Sequence, residues 1–369
     1  MLRRRFLKLL FLAGWPPAQP RPLCAAPPAF PAVTPRPLVF PRDHGAHPEF
    51  RTEWWYLTGW LETSTSAETL GFQITFFRSR TTHDTANPSR FAPHQLLFAH
   101  AALARPRLQH LLHDQRAARV VRDDAAATFS VAETDLALAG WRLRRTVPGA
   151  YEAEIAAADF AFELRFEPTQ PLLLQGDNGY SRKGPQPTQA SYYYSLPQLA
   201  VSGIVGQDGE RLRVEGRAWL DHEWASQVLD PGAAGWDWLG INLDDGGALM
   251  AFRIRARDGS APLWATARLR LPDGRERSFA ADEVRFETDE TWRSPRTGTS
   301  YPIRGRLILG QRENAQQFEF VPLIADQELD ARRSTGAVYW EGAVTLLSAG
   351  KRCGRGYLEL VGYHRPMRL

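Results

Sequence analysis

Residues 216–224 read Gly-Arg-Ala-Trp-Leu-Asp-His-Glu-Trp, and the rest of the chain is best understood from this stretch outward. Small or apolar residues alternate with larger ones as far as Leu220, which predicts a β-strand. A continuing strand would place Trp219, Asp221 and Glu223 on one face and Leu220, His222 and Trp224 on the other. Side chains two positions apart on a strand lie about 6–7 Å apart, so Asp221 and Glu223 would flank a small reacting group.

The chemistry of this stretch allows two interpretations. A carboxylate beside tryptophan in a partly dry site tends to have a raised pKa, which suits a general acid. On this interpretation Asp221, His222 and Glu223 are the catalytic residues. The alternative is a strand end whose acids face water while its tryptophans fill a core.

The first 25 residues have the pattern of an export signal. A charged start, Arg3-Arg4-Arg5-Phe6-Leu7-Lys8, precedes an apolar run that is too short to span a membrane. The pattern Arg-Arg-x-Phe-Leu-Lys matches the twin-arginine signal and indicates export in the folded state, with an ordinary secretory signal as the alternative. Small residues around Cys24 offer a cleavage site, so we expect the mature protein in the periplasm.

Charge and cysteine content argue against a nucleic-acid-binding protein and against a fold held together by disulfides. The formal net charge is +4, but residues 1–25 hold five basic residues and no acid, so the remainder carries 4 − 5 = −1. The high isoelectric point therefore gives no reason to expect a nucleic-acid partner. Cys24 would leave with the signal, and Cys353 alone cannot form an internal disulfide, so the core must hold the fold together.

The chain enters its folded part through a proline-rich tether and an aromatic strand. Residues 26–42 predict the extended tether. The strand that follows would carry Trp54, Tyr56 and Trp60 on one face and Glu53, Trp55 and Leu57 on the other, so neither face is simply solvent. His44, His47 and Glu49 form a ligand set that zinc accepts, but their spacing fits no zinc pattern, and we predict a structural turn without metal.

Short strands separated by turns dominate the remainder and predict a sandwich or barrel. Residues 54–78 and 235–254 both read as a tryptophan-rich strand, a turn and an apolar strand with an arginine near its end (Arg78, Arg253). This weak internal repeat suggests two copies of one β architecture. The alanine-rich segment Arg116–Ala127 is the best candidate for a short helix.

Several polar residues on other strands are secondary candidates for a site. Tyr192-Tyr193-Tyr194 place phenols on both faces of a strand, so at least one is expected to line a cavity. His100 lies within an apolar strand and is expected to be a hydrogen-bonded core histidine. Glu341 and Glu359 are candidate cavity acids, with salt bridges at a rim as the default expectation.

Four stretches resemble the AttH-like family, which is related to the carotenoid 1,2-hydratases and whose members are often labelled secreted hydrolases. They are Asp43–Leu61 (DHGAHPEFRTEWWYLTGWL), Gly216–Trp224 (GRAWLDHEW), Gly235–Leu243 (GWDWLGINL) and Gly354–Tyr363 (GRGYLELVGY). The resemblance covers nearly the whole chain after the tether and implies two lipocalin-like β-barrels in tandem. Such barrels enclose apolar cavities, so the resemblance also implies a hydrophobic ligand.

The resemblance implies a chemistry that needs no cofactor. In carotenoid hydratases an acid protonates an alkene, aromatic faces hold the resulting cation, and water adds. Their His-x-Trp motif matches His222-Glu223-Trp224, but their downstream Tyr-x-Asp pair would fall near Ala251-Phe252-Arg253, where this chain has neither a tyrosine nor an acid. Asp221, Glu223 or Asp237 would have to supply the acid. A hydrolase lacks support, since we find no Gly-x-Ser-x-Gly elbow and no convincing serine–histidine–acid set.

We therefore predict an all-β protein of two tandem lipocalin-like β-barrels. Its parts are a signal peptide over 1–25, a tether over 26–42, an N-terminal barrel over 43–225 and a C-terminal barrel over 226–369. The residues expected to bind the ligand are Glu53, Trp54, Tyr56, Tyr193, Trp224, Trp236 and Asp237. The expected function is binding of an isoprenoid- or acyl-like molecule, with hydration or hydrolysis by acid–base chemistry. The alternatives are a non-catalytic periplasmic lipid carrier and an accessory scaffold of an inner-membrane ABC transporter.

Overall fold

The structure is a computed structural model that describes residues 30–64, 68–84, 86–87, 89, 91–121, 124–227, 229–311 and 314–367. Strands make up most of these residues, and the helical turns among them are short 3-10 segments at Arg42–His44, Pro106–Leu108 and Ala281–Glu283. The predicted signal peptide and the first residues of the tether lie outside the described ranges. Within those ranges, no helix has the length and apolar character needed to cross a membrane.

The first sheet contains 13 antiparallel strands. They are β1 (Thr52–Thr63), β2 (Thr69–Arg80), β3 (Gln95–Ala104), β4 (Leu111–Arg119), β5 (Ala127–Phe129), β6 (Asp135–Leu138), β7 (Trp141–Arg145), β8 (Tyr151–Ala156), β9 (Phe160–Glu167), β10 (Leu173–Leu174), β11 (Tyr180–Arg182), β12 (Ala190–Gln207) and β13 (Glu210–Ala225). Their order is β4-β3-β2-β1-β13-β12-β9-β8-β7-β6-β5, with β10 and β11 paired to β12. The sheet curls into a barrel-like form, since β3 and β4 near one end contact β6 near the other.

The second sheet contains 10 antiparallel strands. They are β14 (Ala233–Leu243), β15 (Ala248–Ala256), β16 (Trp264–Arg270), β17 (Glu276–Phe279), β18 (Val284–Arg293), β19 (Ser300–Leu309), β20 (Gln316–Pro322), β21 (Glu328–Ala331), β22 (Ala337–Ser348) and β23 (Lys351–Leu360). Their order is β17-β16-β15-β14-β23-β22-β20-β19-β18, with β21 paired to β22. The chain thus passes from one sheet to the other between Ala225 and Ala233.

The two sheets repeat one topology. In each sheet, the first four strands form a consecutive run on one side of the last strand. The first strand of the run is its direct neighbour: β1 pairs with β13, and β14 pairs with β23. On the other side of the last strand, the remaining strands follow in descending order along the chain, from β12 to β5 in the first sheet and from β22 to β18 in the second. Short extra strands pair with β12 and with β22. This arrangement confirms the predicted all-β class with two tandem lipocalin-like barrels.

The predicted helix over Arg116–Ala127 is wrong. Residues as far as Arg119 belong to the edge strand β4, which pairs with β3 along its whole length, and Ala127 begins β5. The helix preference of alanine is a weak local term, and the interstrand hydrogen bonds and packing of a long hairpin override it.

The central strand β1 is buried on both faces. Trp55 and Leu57 belong to the core of the first barrel, whereas Tyr56 and Trp60 belong to an apolar cluster that also contains Trp238 from the second sheet. The alternation predicted from the sequence therefore separates a barrel interior from the contact between barrels.

Each barrel has a buried carboxylate–arginine pair at the same place in its first hairpin. Glu53 lies opposite Arg78 in the register of β1 and β2, with its Oε2 2.8 Å from the arginine Nε. Asp237 lies opposite Arg253 in the register of β14 and β15, with its Oδ2 2.7 Å from the arginine Nε. The weak sequence repeat therefore corresponds to a repeated ion pair.

Removing either buried carboxylate should destabilise its barrel strongly. Glu53→Gln would leave the wholly buried Arg78 without its counter-charge, which costs about 3–5 kcal/mol. Asp237→Asn would leave the partly buried Arg253 and Arg255 without theirs, which should cost less. As a control, Glu163→Gln removes half of an exposed pair with Arg211, and such a pair is worth about 0–1 kcal/mol. Urea unfolding curves would check this, and equal midpoints for Glu53→Gln and Glu163→Gln would contradict it.

Candidate active site between the two barrels

The outer faces of the two sheets enclose a cavity of about 340 Å³. Strands β1, β2, β3 and β13 line one side, and β14, β15, β22 and β23 line the other. Its aromatic lining includes Trp54, Tyr56, Trp236, Trp238, Phe252 and Tyr339. Its carboxyl groups are Asp221, Glu223, Glu341 and Glu359. An apolar pocket with a few convergent polar groups is the usual form of a small-molecule site.

Strand β13 divides the predicted catalytic residues between two places. Asp221 and Glu223 line the cavity, and Trp219 lies on the same face, in the cluster between the barrels. His222 is wholly buried on the opposite face, where Trp224 belongs to the core of the first barrel. The face assignment made from the sequence holds, but it separates the histidine from the two acids.

Asp221 is a buried carboxyl held by three donors. Its oxygens accept hydrogen bonds from Ser195 Oγ at 2.5 Å, Tyr193 Oη at 2.6 Å and Trp219 Nε1 at 2.7 Å. Burial is the largest influence and outweighs these donors, so the pKa of Asp221 rises to about 7, with a contribution from nearby Glu223. A carboxyl with such a pKa can donate or accept a proton near neutral pH.

Glu223 is neutralised by a lysine that the sequence did not single out. Lys183 Nζ lies 3.0 Å from Glu223 Oε1, and both side chains are buried. The ammonium group also lies 4.5 Å from the ring centroid of Tyr193 and 4.2 Å from that of Phe252. A cation between a carboxylate and two aromatic faces is stabilised by both. The polar loop that supplies Lys183 contains no pattern that would have revealed this contact.

Glu341 and Glu359 lie directly opposite each other on β22 and β23. The oxygen Oε2 of Glu359 accepts a hydrogen bond from Trp236 Nε1 at 3.0 Å. The hydroxyl groups of Tyr56 and Tyr339 lie close to the Glu341 carboxyl group, although its Oε1 makes no hydrogen bond of ordinary geometry in the described part of the chain. Burial raises the pKa of Glu359 to about 7, and burial together with the Glu359 charge raises the pKa of Glu341 well above its usual range. Among the described residues neither glutamate forms a salt bridge, so the default expectation of rim salt bridges is wrong.

His100 connects the cavity wall of the first barrel to the second barrel. Its Nδ1 lies 2.7 Å from Tyr339 Oη and its Nε2 lies 2.8 Å from Ser334 Oγ. Burial lowers the pKa of His100 to about 3, so the ring is neutral at neutral pH. The histidine is hydrogen-bonded and buried, as expected from its place in an apolar strand.

Inside the first barrel, Glu53 is the centre of a separate buried network. Its Oε1 lies 2.7 Å from His47 Nδ1 and 2.9 Å from His222 Nε2, while its Oε2 binds Arg78. The Arg78 charge and these hydrogen bonds outweigh burial and hold the pKa of Glu53 well below its usual range. Trp224 stacks on His47 with ring centroids 3.7 Å apart, so its ring belongs to this network rather than to the cavity.

The same network contains the residues whose spacing would suit a metal ion. One ligand atom each from His47, Glu53 and His222 lies within 4.8 Å of the other two. Both histidines, however, use these atoms to contact Glu53, and the Arg78 guanidinium occupies its other oxygen. The ligand set considered from the sequence, His44, His47 and Glu49, does not come together, since Glu49 is half-exposed near Arg42. The geometry is that of a hydrogen-bonded ion cluster.

Asp237 lies inside the second barrel. Its oxygens contact Arg253 Nε at 2.7 Å, Arg255 Nε at 2.9 Å and Tyr363 Oη at 3.0 Å. The side chain is buried and fully engaged, so it stabilises the barrel and does not face the cavity.

The structure thus brings part of the predicted site together. The predicted residues that line the cavity with their side chains are Trp54, Tyr56, Asp221, Glu223 and Trp236, with Tyr193 bonded behind Asp221. The carboxylate of Glu53 and the side chains of His222, Trp224 and Asp237 belong to the two barrel interiors. Of the residues that were missed, Trp238 shares a strand face with Trp236 and could have been found from that spacing.

An acidic, aromatic cavity between two lipocalin-like barrels defines the class of this protein. The chain belongs to the AttH-like family, whose model matches residues 31–363. It is 51% identical to an AttH-type protein from Nitrosomonas europaea, whose crystal structure matches with a TM-score of 0.84 over 91% of this chain and 100% of that one. Kievitone hydratase from Nectria haematococca matches with a TM-score of 0.66 at 14% identity, over 90% and 94% of the two chains, and this likeness concerns the fold alone. No curated protein matches the sequence.

Acid should remove the stability that the neutral, buried histidines contribute to the first barrel. Burial lowers the pKa of His222 to about 4 and that of His44 to about 3, against 6.5 for the free group. Below pH 6.5 the unfolded chain therefore binds more protons, and the stability that these neutral rings contribute at higher pH is lost as the pH falls. The buried carboxyl groups of Asp221 and Glu359, each with a pKa raised to about 7, act in the opposite sense over the same pH range, because the folded chain keeps protons that these groups lose in the unfolded chain. The histidine contribution is therefore expected as a difference between variants, and the His222 shift alone corresponds to about 3 kcal/mol between pH 7 and pH 4.

Urea unfolding at a series of pH values would measure this slope. The raised pKa of His47 acts in the opposite sense, but only above pH 6.5, where its contribution is lost as the pH rises. Relative to the wild type, His222→Gln should lose less free energy of unfolding as the pH falls below 6.5, whereas His83→Gln changes an exposed histidine and should follow the wild-type pH dependence. A wild-type slope in His222→Gln would show that this ring does not carry the effect.

Proposed function

We propose that this protein binds a hydrophobic small molecule between its barrels and adds water to it, or removes water from it, by cofactor-free acid–base catalysis. The observation that carries the proposal is Asp221, a buried carboxyl with a pKa of about 7 on the wall of an aromatic cavity. Perturbed titratable groups in apolar pockets are characteristic of catalytic sites.

Asp221 would act first as an acid and then as a base. The neutral carboxyl donates its proton to one carbon of a ligand double bond, and positive charge develops on the other carbon. The faces of Trp54 and Trp238 line the same cavity and stabilise that charge. The Asp221 carboxylate then accepts a proton from the water that adds, so the acid is regenerated. A positioned acid–base group of this kind contributes about 10²–10⁴-fold in rate.

The hydrogen-bond donors around Asp221 would fix its orientation. Tyr193 and Trp219 donate to different carboxyl oxygens, and Trp238 Nε1 in turn donates to Tyr193 Oη at 3.0 Å. The acid of the first barrel is therefore supported by a side chain of the second. Such support holds a catalytic group in one geometry.

The cavity favours chemistry over simple storage. A carrier needs only apolar walls, whereas burying carboxyl groups without counter-charges costs free energy, and groups retained at such a cost in a pocket are characteristic of functional sites. A scaffold would need no cavity at all. Hydrolysis lacks support, because among the described residues we find no nucleophile–base pair beside hydrogen-bond donors that could bind an oxyanion. Export to the periplasm and a transporter partner remain predictions from residues 1–25 and from the family resemblance.

Replacing Asp221 would test the proposal. The compounds that co-purify with the protein would be identified by native mass spectrometry and then incubated with it in D2O. We expect the gain of one water and of a carbon-bound deuterium, and we expect Asp221→Asn to reduce the rate at least 100-fold while the ligand still binds, since the amide cannot donate a carboxyl proton.

Asp273→Asn is the matched control, because Asp273 lies in an exposed turn and bonds only locally to Arg275. A ligand that binds and is recovered unchanged, with no deuterium, would establish the carrier instead. Equal rates for Asp221→Asn and Asp273→Asn would remove Asp221 from the mechanism.

A further inference from the structure

We infer that the Glu341–Glu359 pair binds a positively charged group of the ligand, so that the ligand is a hydrophobic amine. The inference concerns the same cavity as the proposed function and rests on that function only for the apolar part of the ligand. It does not require that Asp221 performs catalysis.

The internal repeat shows which positions correspond in the two halves of the cavity. Trp54 lies opposite Glu223 in the register of β1 and β13, and Trp238 lies opposite Glu359 in the register of β14 and β23. Since these strand pairs are equivalent in the two sheets, Glu359 is the counterpart of Glu223. Both carboxyl groups line the cavity, one from each barrel.

The same comparison locates the counterpart of Lys183. Tyr180 lies opposite Tyr192 on β11 and β12, and Glu328 lies opposite Trp340 on β21 and β22. Lys183 follows Tyr180 by three residues, as Ala331 follows Glu328. The lysine that neutralises Glu223 in the first half is therefore replaced by an alanine in the second half.

The second half of the cavity has an additional carboxyl group, and no cation pairs with it among the described residues. Glu341 lies opposite Glu359, at the position where the first half has Tyr193 opposite Glu223. The Glu341 side chain is 2% exposed, and its Oε1 lacks a hydrogen-bond partner in the described ranges. Two buried carboxyl groups thus meet where the repeat would place an ammonium group.

The other basic side chains that line the cavity do not fill this place. Arg78 is bonded to Glu53, Lys183 is bonded to Glu223, and Arg51 is exposed. Aromatic faces are present instead. Phe77 occupies the position in the first hairpin that Phe252 occupies in the second, and both line the cavity. The site therefore offers an added cation two carboxyl groups and the ring of Phe77, whereas Lys183 has one carboxylate and the rings of Tyr193 and Phe252.

Binding of an ammonium group should also change the protonation of the pair. Two adjacent buried carboxyl groups cannot both ionise easily, so the empty pair retains a proton. A bound cation favours the ionised form, and the proton leaves. The titratable and charged groups around the pair are Tyr56, Asp221, Glu223 with Lys183, Tyr339 and Tyr357. The tyrosines have raised pKa values and stay neutral, so the released proton comes from a carboxyl group.

Calorimetric titration of the full chain with three probes of equal chain length would test the inference. The probes are decylamine, decanol and decanoate. We expect decylamine to bind at least tenfold more tightly than decanol and decanoate to bind most weakly. Titration in two buffers of different ionisation enthalpy should show proton release with decylamine only. Equal affinities for decylamine and decanol would overturn the inference.

Variants locate the effect on the pair. Glu341→Gln and Glu359→Gln should each reduce the preference for decylamine over decanol at least tenfold, while decanol binding itself shows that the variant is folded. Glu154→Gln, which changes an exposed residue of β8, should keep the preference. An unchanged preference in both pair variants would place the cation elsewhere and overturn the inference.

The two proposals fail separately. If Asp221→Asn abolishes water addition and decylamine is not preferred, the proposed function stands and the cation site falls. If decylamine is preferred but no ligand gains or loses water, the cation site stands and the proposed function falls.

Discussion

Burial of both faces of the central strands is the constraint on which the rest of this structure depends. Strands β1 and β13 face a barrel core on one side and the other barrel on the opposite side, and β14 and β23 do the same in the second half. Such strands cannot follow the simple pattern of polar residues outside and apolar residues inside. Strands β1 and β13 carry tryptophan on both faces, and every polar group on any of the four strands must find a partner or remain unsatisfied.

The two polar clusters on these strands solve that problem in opposite ways. On the inner face, Glu53 is saturated by two histidines and an arginine, which is the condition under which a buried charge is tolerated. On the outer face, Asp221 keeps a raised pKa despite three donors, and Glu341 has tyrosine hydroxyl groups beside it but no cation among the described residues. A saturated network stabilises a fold, whereas under-compensated acids beside a cavity are reactive. This physical difference between the clusters is the basis on which we propose a structural role for one face and a functional role for the other.

Duplication of the barrel makes the functional asymmetry visible. The repeated ion pairs, Glu53 with Arg78 and Asp237 with Arg253, occupy equivalent places and show what both halves need in order to fold. Lys183 and Ala331 occupy equivalent places and differ, which shows where the halves have diverged. Because the cavity lies between the halves, it combines a charge-balanced wall from the first barrel with an acidic wall from the second.

The sequence by itself determined the all-β class, the two faces of β1 and β13, and the repeat of a tryptophan-rich hairpin, because these depend on the period of two within single strands. It also identified Asp221, Glu223, Trp54 and Trp236 as members of one site. It failed for Arg116–Ala127, where pairing with a distant strand overrides local helix preference. Only the tertiary structure decided that His222 faces away from the acids' cavity, that Lys183 neutralises Glu223, and that Glu341 and Glu359 lack a counter-charge in the described part of the chain. Those facts depend on which strands become neighbours and on how much water each face retains, and no local pattern encodes either.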